Sequence, residues 1–400
     1  MVSPLAGRLV ADFSRVLAGP LATMTLADLG ARVIKVEKPA TGDDTRSWGP
    51  PFSATGSTYF ESVNRNKESV CLDLTDPTDR ALALELATRA DVVVENFAPG
   101  TMDARGLGYD AVRRANPGVI YASISGFGTA AGAGIPGYDF VVQALGGLMS
   151  ITGEADGHPL KVGVALVDVL AAKDVAIGVL AALVERDSSG IGARLEFTLL
   201  TSLAGGLANQ AQAWLGAGVM PQRLGNVHPS IAPYQTLACA DGMIAVAVGN
   251  DSQFAKLCAV IGAPDLASDP RFRSNPDRVR NREALVPLLE SRLADASAIE
   301  WEQRFTAAGV PAGHVATIAE GLELAAGLGL DPVIEVRDAT GRVTGTQVRH
   351  PAVWTPPLDP RLDAPPQLGE QDAAIRAWLH APRSTTPATP THATLEDDHA

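Results

Sequence analysis

In the first third of the chain, apolar positions form short continuous runs separated by stretches of helical period. Residues 9–13 read as a buried strand, 21–29 as a helix stopped by Gly30, and 32–37 as a second strand. The unit then repeats, with strands expected at 69–74, 91–95 and 119–125 and helices at 78–90 and 101–115. Short buried strands alternating with helices of this length predict a parallel sheet covered by helices on both faces, a Rossmann-like α/β fold. Ligands of such sheets bind beyond the carboxyl ends of the strands, which directs attention to the loops 14–20, 38–46, 96–100 and 126–139. Farther on, an apolar approach over 164–169 contains one acidic residue, Asp168, and leads into a long apolar helix at 170–186.

The pattern changes beyond Gly216. A strand pair at 236–248 turns at Asp241-Gly242, and helices are expected at 252–261, 278–293 and 298–308. A proline-rich connector at 355–367 precedes a closing helix near 371–379. The expected layout is a large Rossmann-like domain whose N-terminal part is 1–215, a small α/β domain at 222–325, and a return to the large domain at 326–381. The segment 382–400 is almost free of apolar residues and is expected to be a disordered tail.

Composition sharpens this picture. The chain has 400 residues, 46% apolar and 19% charged, enough for a large buried core. A net charge of −13 makes nucleic acid an unsuitable partner, because duplex binding depends on Lys and Arg neutralising phosphates. The longest apolar run, 175–184, is too short to span a bilayer, and no secretory signal begins the chain, so no membrane partner is expected. Cys71, Cys239 and Cys258 are scattered without a CxxC pair, which predicts no disulfide framework and no structural zinc and suits a reducing cytoplasm.

Few residues stand out as chemistry. Asp168 falls where an extended segment meets a helix, so it is either an N-cap or a carboxylate nucleophile favoured there by the helix dipole. Arg15, Lys38, Arg46, Arg65 and Lys67 lie in or beside the early loops, where converging cations would suit a phosphate-rich ligand; the alternative is a set of solvated charges. Gly126-Phe127-Gly128 follows a strand but lacks the third glycine of a dinucleotide fingerprint. His228 could meet a substrate carboxylate or be a structural loop residue, while His158 and His314 show no partners. No HxxxH or HExxH spacing predicts a metal, and no GxSxG elbow predicts a serine hydrolase.

Several stretches, taken in order, resemble the family III CoA-transferases, the group that includes formyl-CoA transferase, carnitine CoA-transferase and the α-methylacyl-CoA racemases. They are residues 12–20, 27–31 with 33–37, Asn64-Arg65-Asn66-Lys67 with Leu72-Asp73-Leu74, Glu95-Asn96-Phe97-Ala98-Pro99-Gly100, Gly137-Tyr138-Asp139, and Val162-Gly163-Val164 leading to Asp168. The resemblance runs from about residue 5 to about 380. It implies a Rossmann-like large domain with a smaller domain between its halves, and a homodimer of interlocked chains. The substrates it implies are an acyl-CoA and a carboxylic acid, with coenzyme A entering as part of the substrate and no metal. Asp168 then matches the catalytic aspartate, which forms an acyl–aspartyl anhydride and next an aspartyl-CoA thioester. CoA would lie along Val16, Leu17, Ala18, Lys38, Leu72, Asp73, Leu74, Asn96, Phe97, Arg105, Tyr138 and Asp139, with Arg15 and His228 toward the acids.

Departures from the family pattern narrow this expectation. Many relatives carry Arg where Ala104 stands, and here the Arg is Arg105. Formyl-CoA transferase has Gln at the place of Leu17, Glu at that of Asp139 and a tetraglycine loop at that of residues 228–234, which argues against oxalate and formate. The racemases have a His where this chain has Tyr138, whose ordinary pKa of about 10 suits proton exchange poorly. The segment 223–235 looks most like members that use succinyl-CoA and small dicarboxylates. An isomerase of the racemase type and a catalytically silent CoA-binding protein are the alternatives.

Overall fold

The computed structural model describes residues 1–382. It divides into two compact units, one comprising Met1–Ser123, Ala176–Leu195 and the described residues from Thr355, the other Ile124–Val175 and Glu196–Trp354. The expected tail, 382–400, lies outside the described residues except for its first position.

The first unit is organised by strands β1 (Leu9–Asp12), β2 (Arg32–Glu37), β3 (Lys67–Cys71), β4 (Val92–Glu95), β5 (Ile120–Ser125) and β6 (Ala193–Thr198). They form one six-stranded parallel sheet in the order β3-β2-β1-β4-β5-β6. Val10 pairs with Val33 on one side and Val92 on the other, so the winding direction reverses between β1 and β4. Every residue of Val92–Glu95 is buried, as the central strand of a sheet covered on both faces requires. The helix Pro77–Arg89 starts where Asp76 accepts from the N–H groups of Thr78 and Asp79 and Pro77 occupies the first turn. The late helix Asp372–His380 returns to this core through Ile375 and Leu379. Asp372 also accepts from the Cys71 N–H at 2.6 Å, which occupies a donor on the edge strand β3.

At the carboxyl ends of β1 and β2 the interior is ionic. Asp12, Lys35, Asp43 and Lys67 have fully buried side chains. Lys67 Nζ donates to Asp12 at 3.0 Å, to the Pro20 carbonyl at 2.9 Å and to Asn64 Oδ1 at 2.9 Å, so all three of its hydrogens are placed. Lys35 Nζ meets Asp43 at 2.9 Å. Burial alone would raise the Asp12 carboxyl, but Lys67 and Lys35 outweigh it and hold the group down at about 2.

In the second unit, β7 (Tyr234–Ala238), β8 (Met243–Ala247) and β9 (Ala312–His314) form an antiparallel sheet over a core that includes Leu237, Phe254, Phe272, Leu289, Trp301 and Phe305. Among the described residues no helix is long and apolar enough to cross a membrane.

Three helices differ from their sequence readings, each for a local reason. The expected helix at 101–115 is two, Thr101–Ala104 and Tyr109–Ala115. Gly106 takes φ +69°, and a Cβ on Gly108 would fall 1.9 Å from Asp103 Oδ1. The expected helix at 278–293 breaks at Asn281, whose side-chain amide donates to the carbonyls of Arg271 and Asp277. The third, Leu166–Ser189, begins before Asp168 rather than after it.

Replacing Lys67 by Met, which fills similar space without charge, strands Asp12 in the interior. We expect a loss of about 3–5 kcal/mol in urea unfolding, and a loss below about 1 kcal/mol would show that the buried pair holds little of the fold.

Candidate active site

A cavity of about 460 Å³ opens at the carboxyl ends of the first four strands, within the size range of small-molecule sites. The residues just past each strand line it: Phe13 and Arg15 after β1, Lys38 after β2, Leu72 to Thr75 after β3, Phe97 and Ala98 after β4, with Arg105 beyond. The lining combines the apolar Phe13, Val36, Leu72, Leu74 and Phe97 with the cations Arg15, Lys35, Lys38 and Arg105. Arg15 and Arg105 both stack on the Phe97 ring, at 4.8 and 5.8 Å from its centroid. Lys38 and Arg105 make no ion pair among the described residues, and Arg15 reaches Asp44 only at 3.7 Å. The acidic residues lining the same cavity are mostly committed elsewhere. Glu37 is bound by Arg46 at 2.6 Å and Asp43 by Lys35, whereas Asp73 accepts from the backbone N–H and hydroxyl of Thr75.

Asp168 belongs to the second unit and occupies the third position of Leu166–Ser189. It does not cap that helix. The N–H groups of Val167 and Asp168 donate instead to Asp139 Oδ1, at 2.8 and 3.2 Å, so the cap comes from the first residue of another helix, Asp139–Leu145. Gln143 Nε2 donates to the other oxygen of Asp139 at 2.6 Å, and Gln143 Oε1 accepts from the Val162 N–H at 2.9 Å. One helical turn thus holds both the approach to the helix and its start. Asp168 is 8% exposed, and its carboxyl has no hydrogen bond among the described residues. Burial, and then the neighbouring Asp139 charge, raise its pKa to about 7. The helix N-terminus, expected to favour the anion, is outweighed.

The cavity therefore unites Arg15, Lys38, Leu72, Asp73, Leu74, Phe97 and Arg105. Val16, Leu17 and Ala18 adjoin it in sequence, and the Asn96 amide bonds the backbone of Arg15. Asp139 and Asp168 share the second unit with the exposed Tyr138. His228 lies before β7, with its ring 5.1 Å from that of Tyr234 and its Nδ1 accepting from the Ser230 N–H.

Three of the five early cations are structural: Arg46 binds Glu37, Arg65 binds Asp28, and Lys67 binds Asp12. His314, which showed no partner in sequence, pairs with Glu302. Sequence reasoning passed over Lys35, Asp43 and Gln143, since a buried lysine in a strand carries no local mark. Gly126 and Gly137, both noted in the sequence, pack against each other: a Cβ on either would meet the other's Cα at 2.5 Å.

The family model described as CoA-transferase family III matches residues 5–372. The chain is 40% identical over 385 residues to acetyl-CoA:oxalate CoA-transferase of Acetobacter aceti, covering 95% of this chain and 97% of that protein. It is 41% identical over 405 residues to succinate–glutarate CoA-transferase of Agrobacterium fabrum, covering 96% of this chain and 98% of that protein. Its fold matches the crystal structure of a CaiB/BaiF family protein from Brucella suis with a TM-score of 0.86 and 41% identity, over 95% of this chain and all of that one.

The state of Asp168 has a thermodynamic consequence. Its folded pKa of about 7 exceeds the ordinary carboxyl value of about 4, so between those pH values the folded chain binds more protons and stability falls as pH rises. Asp168→Asn removes that cost. At pH 7.5 the variant should be more stable by up to about 4 kcal/mol, the full value of such a shift, and the gain should vanish near pH 4. Thermal unfolding of both proteins across that range checks it; equal stability at all pH values would refute it.

Proposed function

The chain belongs to CoA-transferase family III, and we propose that it moves CoA from an acyl-CoA to a free dicarboxylic acid through covalent intermediates on Asp168. Transfer of CoA from an acyl-CoA to a carboxylate is its activity; the route and the acids are our reading. The observation that carries it is the Asp168 carboxyl itself: buried, bonded to no protein donor among the described residues, and raised to about 7. A carboxylate committed to a cap or an ion pair would be a poor nucleophile. This one is kept free because Asp139 performs the capping.

In the proposed sequence the Asp168 carboxylate attacks the thioester carbonyl, the C–S bond breaks, and an acyl–aspartyl anhydride and CoA thiolate result. The thiolate then attacks the aspartyl carbonyl and releases the donor acid, leaving an aspartyl-CoA thioester. The acceptor carboxylate attacks that thioester and expels the thiolate again, forming a second anhydride. Attack of the thiolate on the acceptor's carbonyl gives the new acyl-CoA and regenerates Asp168. Near neutral pH a carboxyl with a pKa of about 7 is substantially ionised yet poorly solvated, which favours attack.

CoA is assigned to the cavity of the first unit. Arg15, Lys38 and Arg105 supply cations for its phosphates, Leu72, Leu74 and Phe97 its apolar wall, and Val16 to Ala18 the side nearest the thiol arm. Arg105 takes up the role that Ala104 cannot. Succinate and glutarate fit the named relatives. Because a relative of equal similarity carries oxalate in its name, the sequence argument against oxalate does not stand. His228 remains assigned to an acceptor carboxylate. The racemase-type alternative is disfavoured by Tyr138, and a silent binder by Asp168.

A homodimer is supported by large apolar side chains left in water by the single chain. Ile177 and Val184 on Leu166–Ser189 are 66% and 74% exposed, Leu215 is 76% and Ile318 is 86% exposed. The three free cysteines support a reducing, cytoplasmic setting.

Intact-mass spectrometry after incubation with succinyl-CoA and trapping with hydroxylamine or borohydride should show a modification at Asp168 that is lost in Asp168→Ala. No adduct from succinyl-CoA or from a panel of acyl-CoAs would sink the covalent route. The mass in solution should be that of a dimer; a monomer at micromolar concentration would refute the assembly.

A further inference from the structure

Between β1 and the helix Ala18–Asp28, the chain turns through Ser14, Arg15 and Val16, and side chains from elsewhere bind the backbone of every residue in the turn. The Ser14 N–H donates to Asp12 Oδ1 at 2.9 Å and its carbonyl accepts from Lys35 Nζ at 2.8 Å. Arg15 is held twice by one amide, its N–H donating to Asn96 Oδ1 at 2.8 Å and its carbonyl accepting from Asn96 Nδ2 at 2.7 Å. The Val16 N–H lies between the two oxygens of Asp43, at 3.3 and 3.2 Å.

Val16 takes φ +70°, a left-handed conformation that is an outlier for a β-branched side chain. Such a conformation persists only where its surroundings over-determine it, and it is commonest at functional sites. The residues the grip leaves free are the next two. The N–H groups of Leu17 and Ala18 donate to no group among the described residues, and Leu17 supplies no side-chain cap.

From this geometry we infer that Asn96, with Asp43, is a positioning residue for CoA transfer: it holds the Arg15–Val16 backbone so that Val16 to Ala18 meet the reacting end of the acyl-CoA. The inference rests on the assignment of Val16 to Ala18 to the thiol arm. It gives Asn96 a different part from the neighbouring Phe97. The Asn96 amide is used on both sides by protein backbone, while the Phe97 ring stacks with Arg15 and Arg105 at the cavity.

Asn96 is the better residue to test, because it is only half-buried, whereas Asp43→Asn removes the ion-pair partner of the buried Lys35 and risks misfolding. Asn96→Leu preserves size and removes both hydrogen bonds. With succinyl-CoA and glutarate, we expect kcat to fall about tenfold to a hundredfold, the scale of a small misplacement of reacting groups, with KM for succinyl-CoA within about threefold of the parent. The thermal midpoint should stay within a few degrees. A rise in KM at constant kcat would overturn the inference in favour of direct contact with CoA. A lower midpoint with unchanged kcat per folded enzyme would overturn it in favour of a purely structural role, as would unchanged kinetics. Asp168→Asn, assayed alongside, keeps the two readings apart: if it retains full transfer, the covalent route fails whatever Asn96→Leu does.

Discussion

The paired charges sealed at the carboxyl ends of β1 and β2 are the constraint on which the rest of the first unit depends. Placing Asp12, Lys35, Asp43 and Lys67 out of water is costly, and only close geometry with hydrogen-bond partners on both ammonium groups repays it. That geometry joins segments that the sheet alone would leave independent. Lys67 ties the start of β3 to β1 and to the Pro20 carbonyl in the first turn of the following helix. Lys35 ties β2 to the turn after β1. An apolar core of similar volume could have been as stable, but it would offer no directional bonds to fix a strained turn. The ionic centre thus determines loop conformation as much as it contributes stability.

The second unit applies the same economy to one carboxylate. A helix start needs acceptors for its free N–H groups, and an aspartate in the first turn would ordinarily supply one. Here Asp139 takes that task with support from Gln143, leaving Asp168 buried and unsolvated. The arrangement raises the free energy of the folded chain at neutral pH, which, with Asp168 in the proposed role, is the usual direction of conflict between activity and stability. Two acidic residues of the same type differ in role because one is hydrogen-bonded and the other is not.

Much of this was legible in sequence, and the parts that were not share a cause. Strand and helix periods locate β1 to β5 to within a few residues, because buried parallel strands carry short continuous apolar runs such as Val92-Val93-Val94. The cavity came with the fold, since three of the four early loops singled out as ligand loops run alongside it. What stayed hidden was pairing at long range. Arg46, Arg65 and Lys67 look like surface charges or phosphate ligands until Glu37, Asp28 and Asp12 are found beside them in space. The start of Leu166–Ser189 is hidden in the same way, because its cap, Asp139, lies 29 residues from Asp168. β6 also escaped, its residues alternating between half-buried and exposed where a central strand would be continuous.

With CoA assigned to this cavity as proposed, these hidden pairs also account for how a chain with a net charge of −13 receives an anionic substrate. Its overall field repels phosphate, so binding must depend on cations left unneutralised within a few ångströms of the ligand, where screening by salt is weakest. Two of the internal pairs that consume a lysine or arginine also consume a carboxylate that lines the cavity. Glu37 and Asp43 both line it, and both are occupied by Arg46 and Lys35. Arg15, Lys38 and Arg105 then act against a wall whose negative charges are largely cancelled. The same buried pairs that hold the turn in place therefore set the sign of the cavity, and geometry and electrostatics at this site are two results of one network.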